Sequence, residues 1–230
     1  MPSFSPVRSQ PIVLSSTQES HVYALFAMAM GLSFVGVMVG IAFAESLLTS
    51  GMHMLFIIAE LAIIFTARWW QAKTPWNYVL FGLFPLLSGI TVTPYILYVL
   101  IGYANGAPIL LNALASTVFM AAAAAVFARM RLWNMAGLQG ILFMSLIGLI
   151  VLGVLQIFIP ALRAPGFEVL LSGAGVIVFA LFTAMDMQRL QSLARAGASP
   201  FLIALNLYLD IFNLFLFVVR FMVAISGRRR

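Results

Sequence analysis

The sequence predicts an all-α membrane protein, a bundle of seven transmembrane helices, on three observations. Of the 230 residues, 63% are apolar and 8% are charged, whereas a soluble domain carries about 45–50% apolar and about 25% charged residues. The mean hydropathy is +1.10. The apolar residues also fall into seven blocks, each too long for a strand and bounded by charge, proline or glycine. A soluble fold this apolar would expose large greasy patches and aggregate, so the bilayer is its better solvent. Within lipid the backbone must satisfy its own hydrogen bonds, which leaves helices or a closed barrel. Period-two alternation is absent, and helices remain. This composition argues against a water-soluble enzyme, a nucleic-acid binder or a disulfide scaffold. With no cysteine, neither a thiolate nucleophile nor a thiolate metal site is available.

Residues 1–21, with Pro2, Pro6, Pro11 and several serines, read as a mobile N-terminal tail. The first block, Val22–Phe43, is followed by a small-x-small triplet at Ala42-Phe43-Ala44, as in a cleaved signal. Its apolar run of about 21 residues exceeds the roughly 7–15 of a signal core, and further spans follow, so it is expected to be a retained helix. Gly36 and Gly40 make a GxxxG pair suited to helix packing. The second block is Met52–Ala67. The third, Tyr78–Gly102, contains Pro85, Ser88-Gly89-Ile90-Thr91 and Pro94, a kinked and hydroxyl-rich helix suited to a cavity wall. Blocks four to seven run Pro108–Ala128, Leu138–Ile159, Val169–Met187 and Phe201–Ile225. The transmembrane domain is therefore 22–225, with a basic tail at 226–230. Short links such as Gln71–Asn77 and Tyr103–Ala107 imply antiparallel neighbours in one bundle.

Charge sets the expected orientation. With the N-terminus in the cytoplasm, Arg8, Arg68, Lys73, Arg129, Arg131, Arg189 and Arg195 lie on that side, and the outer loops between spans hold only Arg163. Seven crossings then carry Arg220 and Arg228–Arg230 outward; a re-entrant last segment would return them. Crossing is preferred, because early charges usually set topology. Trp69, Trp70 and Trp76 fit an aromatic belt at the cytoplasmic border. A bacterial inner membrane is the expected location.

Ionisable residues inside a membrane are costly and become functional candidates. Here they are Glu60, Asp186 and Asp210, with Arg68 and Arg220 nearer helix ends; Glu19, Glu45 and Glu168 read as solvated border charges. Asp210 lies about 15 Å into the seventh block at about 1.5 Å per residue. The spacing of Asn206, Asp210, Asn213, Phe217 and Arg220 puts all five on one helix face. Such a stripe either lines a wet cavity or forms a hydrogen-bonded packing seam. Asp186 shares a face with Ser172, Gly175, Phe179 and Thr183. If blocks six and seven form a hairpin, Asp186 and Asp210 face each other and titrate as one unit; alternatively Asp186 reaches toward Arg189. Glu60, His53 and Gln71 form a polar edge on the second helix, with Arg68 set round from it.

The run Ala204-Leu205-Asn206-Leu207-Tyr208-Leu209-Asp210-Ile211-Phe212-Asn213-Leu214-Phe215, with Arg220 downstream, resembles the last helix of the Bax inhibitor-1 family. Ser88-Gly89-Ile90-Thr91 with Pro94 is similar to that family's third helix. Glu60 matches an acidic position of its second, and Asp186 with Gln188 the end of its sixth. The resemblance spans most of the chain. It implies seven helices with the C-terminal one central, and a pH-sensitive calcium leak controlled by an aspartate pair, here Asp186 and Asp210. An arginine near the end of helix two latches that pair in the family; an ungapped reading puts the position at Gln71, between Arg68 and Lys73.

The expected function is accordingly a calcium leak channel and not an enzyme. Asp186 and Asp210 serve as pH sensor, gate and weak, transient calcium ligands; Glu60, Arg68, Asn206 and Asn213 serve as pore or latch. No cofactor is expected beyond calcium as the permeant ion. The expected partners are the bilayer, calcium ions and protons, with no nucleic acid. An intramembrane aspartyl protease would need Gly-x-Gly-Asp, but Asp210 follows Tyr208-Leu209. The alternative reading is a non-conducting regulator that binds membrane proteins, such as a membrane protease.

Overall fold

The computed structural model describes residues 16–130 and 135–227. Arg8 and Arg131 lie outside the described residues, as do most of the expected N-terminal tail and Arg228–Arg230 of the basic tail. Nine α-helices are formed among the described residues: α1 Ser16–Ala42, α2 Ala44–Thr49, α3 Met52–Phe65, α4 Ala67–Trp70, α5 Trp76–Gly102, α6 Gly106–Met130, α7 Gln139–Phe158, α8 Pro165–Arg195 and α9 Pro200–Ser226. Short 3-10 turns lead into α7 and α8. No β-strand occurs among the described residues.

Six of these helices are long and apolar enough to cross a membrane: α1 and α5 to α9. The expected second span is shorter. Its helix, α3, has 14 residues, or roughly 21 Å against roughly 30 Å of hydrocarbon. The break falls at Thr66, whose hydroxyl donates to the carbonyls of Ala62 at 2.6 Å and Ile63 at 3.3 Å. This back-bonding competes with the regular ladder and disturbs the helix locally. After that residue α4 carries the chain on to Trp70.

Two boundaries move from expectation. Residues 16–21, assigned to the tail, are the first turns of α1, where Glu19 complements the helix dipole. α8 continues to Arg195, past the expected end at Met187.

α1 lies along α5, and both pack on α9. The α1–α5 seam is where glycine is needed. A Cβ on Gly36 would overlap the carbonyl of Leu86, and one on Gly89 would overlap the carbonyl of Ser33; the two glycines oppose each other across the seam. Gly40 lies against Thr93 in the same way. In lipid, where burying apolar surface between helices brings little gain, such close backbone approach is a main source of association. α9 is the most buried of the spans, contacting α1, α5, α6 and α8, so the C-terminal helix is central. At one end of the bundle Trp70, Phe81, Phe84 and Tyr208 form a core; at the other, Val99, Leu149, Leu214 and Val219 do. Trp70 therefore departs from the interfacial belt expected for it: it is fully buried, and its indole N–H donates to the Ile63 carbonyl at 2.9 Å. Trp69 and Trp76 are exposed.

Candidate functional site

α8 and α9 form a tight hairpin. Gly197 takes a positive φ of 75°, a conformation that glycine adopts without the steric penalty of a side chain, and the Ala198 amide returns to the Leu193 carbonyl. Pro200 then starts α9 with its missing N–H at a position that needs none. Asp186 and Asp210 stand equally far from Ala198, so the antiparallel helices hold them level, roughly 18 Å from the turn.

Small residues keep the hairpin closed. Gly175 leaves room for the Phe217 ring, which stacks on Phe179 with centroids 5.4 Å apart. Ser172 and Thr183 are fully buried on this face, their hydroxyls returned to the carbonyls of Glu168 and Phe179.

Both aspartates lie on this hairpin. Asp210 is buried, at 8% exposure, and its Oδ2 has no hydrogen-bond partner among the described residues. Asp186 is its charged neighbour, and Arg189, one turn further along α8, is the charged neighbour of Asp186. The Arg189 guanidinium donates to Gln139 on α7 at 2.9 Å.

Neither cation offered as a latch joins the pair. Arg68 is exposed on α4, and Lys73 is spread over the Trp69 ring, 3.9 Å from its centroid. Gln71 donates to the Arg68 carbonyl at 3.4 Å. The short α4 ends helix two on the surface, so its basic residues reach solvent instead of the interior.

The polar stripe of α9 is divided among three environments. Asn206 is exposed. Asn213 donates to the Leu209 carbonyl at 2.8 Å and lines a cavity. Arg220 forms a bidentate ion pair with Glu168 at the start of α8 and also donates to Gln156 of α7. Glu168 is thus not the solvated border charge expected of it. Its partner lies fifty-two residues away, and no local spacing announces the contact. Gln156 completes the cluster, donating to Glu168 at 2.9 Å and to the Leu162 carbonyl at 2.7 Å.

Above this cluster lies a cavity of about 1450 Å³. Its walls come from α3, α5, α7 and α9 and the start of α8. α3 packs on α5 while α7 packs on α8, and the space between α3 and α7 is left open. Glu60 faces into it from α3, accepting hydrogen bonds from Thr91 at 2.8 Å and Ser88 at 3.2 Å. Ser88 and Thr91 of the Ser88-Gly89-Ile90-Thr91 run therefore line the cavity, whereas Gly89 faces the α1 seam. His53, expected on the same edge, has a buried Nδ1 with no partner among the described residues. Behind the wall, Ser33 and Tyr208 hydroxyls lie 2.7 Å apart, and Ser33 donates to the Pro85 carbonyl at 3.1 Å. A smaller cavity of about 390 Å³, with Glu19, Arg129 and Gln188 in its walls, lies between α1, α6 and α8.

Along most of its length the chain is similar to known proteins. The family profile described as "Inhibitor of apoptosis-promoting Bax1" matches residues 16–228. A protein of Helicobacter pylori is 28% identical over 206 residues, covering 90% of this chain and 86% of its own. One of Campylobacter jejuni is 28% identical over 208 residues, covering 90% and 87%. A Streptococcus pyogenes protein, named only as an uncharacterized membrane protein, is 28% identical over 220 residues, covering 86% and 89%.

Proposed function

Because the chain belongs to the Bax inhibitor-1 family of membrane proteins, we propose that it is a pH-sensitive calcium leak channel gated by Asp186 and Asp210. The observation that carries this reading is the buried Oδ2 of Asp210, unpartnered among the described residues, near a second aspartate on the adjoining helix. Two carboxyl groups side by side in a low-dielectric interior hold one proton between them, and removing it sets two anions against each other. Their repulsion favours separation of α8 from α9 and admits water. Rising pH thus opens the path, and falling pH closes it.

Calcium prefers about six to eight oxygen ligands. Glu60, Ser88, Thr91 and Asn213 supply fewer along the cavity, which suits a passing ion that must also leave. Calcium is cargo here, with no cofactor and no catalytic step. The partners are the bilayer, calcium and protons, without nucleic acid, and the location is a bacterial inner membrane with the N-terminus in the cytoplasm.

Purified protein in calcium-loaded liposomes tests this. Flux should be higher at about pH 8 than at about pH 6, since removing the shared proton of a close carboxyl pair sets two anions against each other, and Asp210→Ala should flatten that difference. Wild-type flux independent of pH would remove the gate. A non-conducting regulator is the second reading, favoured by α7, the least buried span, whose apolar face is free for another helix. Co-purification of a membrane protein with α7, lost on replacing Phe143 and Ile150, together with absent flux, would select it.

A further inference from the structure

We propose that the cavity between α3 and α7 is a binding site for an organic cation, an ammonium head on an apolar body, with Glu60 as its counter-ion. Three features of the cavity point to this ligand class.

The first is charge. Among the described residues the Glu60 carboxylate is met only by the hydroxyls of Ser88 and Thr91, and the one ion pair is Arg220–Glu168. Both arginines in the cavity wall are committed elsewhere. Arg220 is held by Glu168, and Arg163 donates to the carbonyls of Gln156 and Ile157, both at 2.6 Å, closing the end of α7. Glu60 is the acid left to attract a cation.

The second is the lining. Phe84, Phe212, Tyr95, Tyr98 and Tyr103 all border the cavity. Tyr95 and Tyr98 stack with centroids 6.2 Å apart, and Tyr103 meets Tyr98 edge-on at 5.9 Å. Aromatic faces attract alkylated ammonium groups and accept apolar chains, whereas they give little to a hydrated metal ion. A resident metal also lacks ligands: no group of three or more acidic, histidine or cysteine side chains converges among the described residues.

The third is size and access. About 1450 Å³ exceeds the roughly 300–1,000 Å³ typical of small-molecule pockets. The wall runs from Thr91, at Glu60, to Tyr98, a rise of about 10 Å along α5. A head at Glu60 therefore places an apolar body along the tyrosines. The unpacked gap between α3 and α7 lets such a molecule enter sideways from the bilayer.

The site is read by binding, so its test is separate from that of the calcium leak. Full-length protein in nanodiscs of phosphatidylglycerol is titrated with octyltrimethylammonium by calorimetry. Saturable binding is expected, weakened about tenfold or more by Glu60→Gln, kept by Glu60→Asp, and weakened by Tyr98→Leu. If Glu60→Gln does not fold, Glu60→Asp and Tyr98→Leu decide. Discs containing phosphatidylethanolamine separate the two sources of the cation: lower apparent affinity there assigns the site to a lipid headgroup amine, and unchanged affinity assigns it to a free amine. No saturable binding below about 10 mM, or equal affinity in Glu60→Gln or Tyr98→Leu, overturns the proposal.

Discussion

Asp210 and Arg220 share a helix face, yet they end in opposite circumstances. Asp210 leaves one oxygen inside the bundle unpartnered among the described residues, a costly state that persists only because the surrounding helices hold it. Arg220 finds a carboxylate and an amide. Removing one member of a partly buried pair strands the other, which costs up to about 3–5 kcal/mol when burial is complete. The two side chains are about a quarter exposed, so Arg220→Met should cost roughly 1–3 kcal/mol. Arg220→Met with Glu168→Leu should recover much of that loss, as measured by unfolding in discs. The acids Glu60, Asp186 and Asp210 were legible from sequence because charge inside an apolar block is conspicuous. Glu168 was not, since a border charge looks solvated until its distant partner is placed.

At the scale of elements, the glycine pair of α1 was readable as a packing motif, but its partner was not. The structure supplies Gly89, midway between two prolines of α5. Gly36→Leu would force apart two backbones that already touch, and a loss of about 2–3 kcal/mol is expected, at the upper end for an overpacked site. Gly31→Leu, where a Cβ meets nothing within 4 Å, should be close to neutral; comparing the two unfolding temperatures isolates the seam. The α8–α9 hairpin was foreseen as a condition for the aspartates to meet, whereas α8 runs to Arg195, past the end its apolar block suggested at Met187. The level placement of the pair came from the turn at Gly197. Trp70 shows the limit of belt arguments: adjacent tryptophans point to different sides of one helical turn, and only packing decides which side is core.

For the whole molecule, the orientation expected from the distribution of Lys and Arg can be measured directly, since the chain has no cysteine. Single cysteines at Lys73 and Asn105, both exposed, should label from opposite sides of the membrane, Lys73→Cys from the cytoplasm. Labelling of both from one side would mean that α5 does not cross. The six long helices leave α3 as the short member, set on the flank of α5. This incomplete ring of helices around α9 is what leaves the cavity open between α3 and α7.

Composition and block length by themselves determined a helical membrane protein, its approximate spans and the acids worth attention. Lipid permits few backbone solutions, and a charge placed there stands out. Tertiary packing decided which acids acquired partners: Asp186 beside Asp210, Glu60 among hydroxyls, Glu168 with Arg220. Those pairings depend on where separate helices meet and how each is rotated about its axis, information spread over residues far apart in the chain.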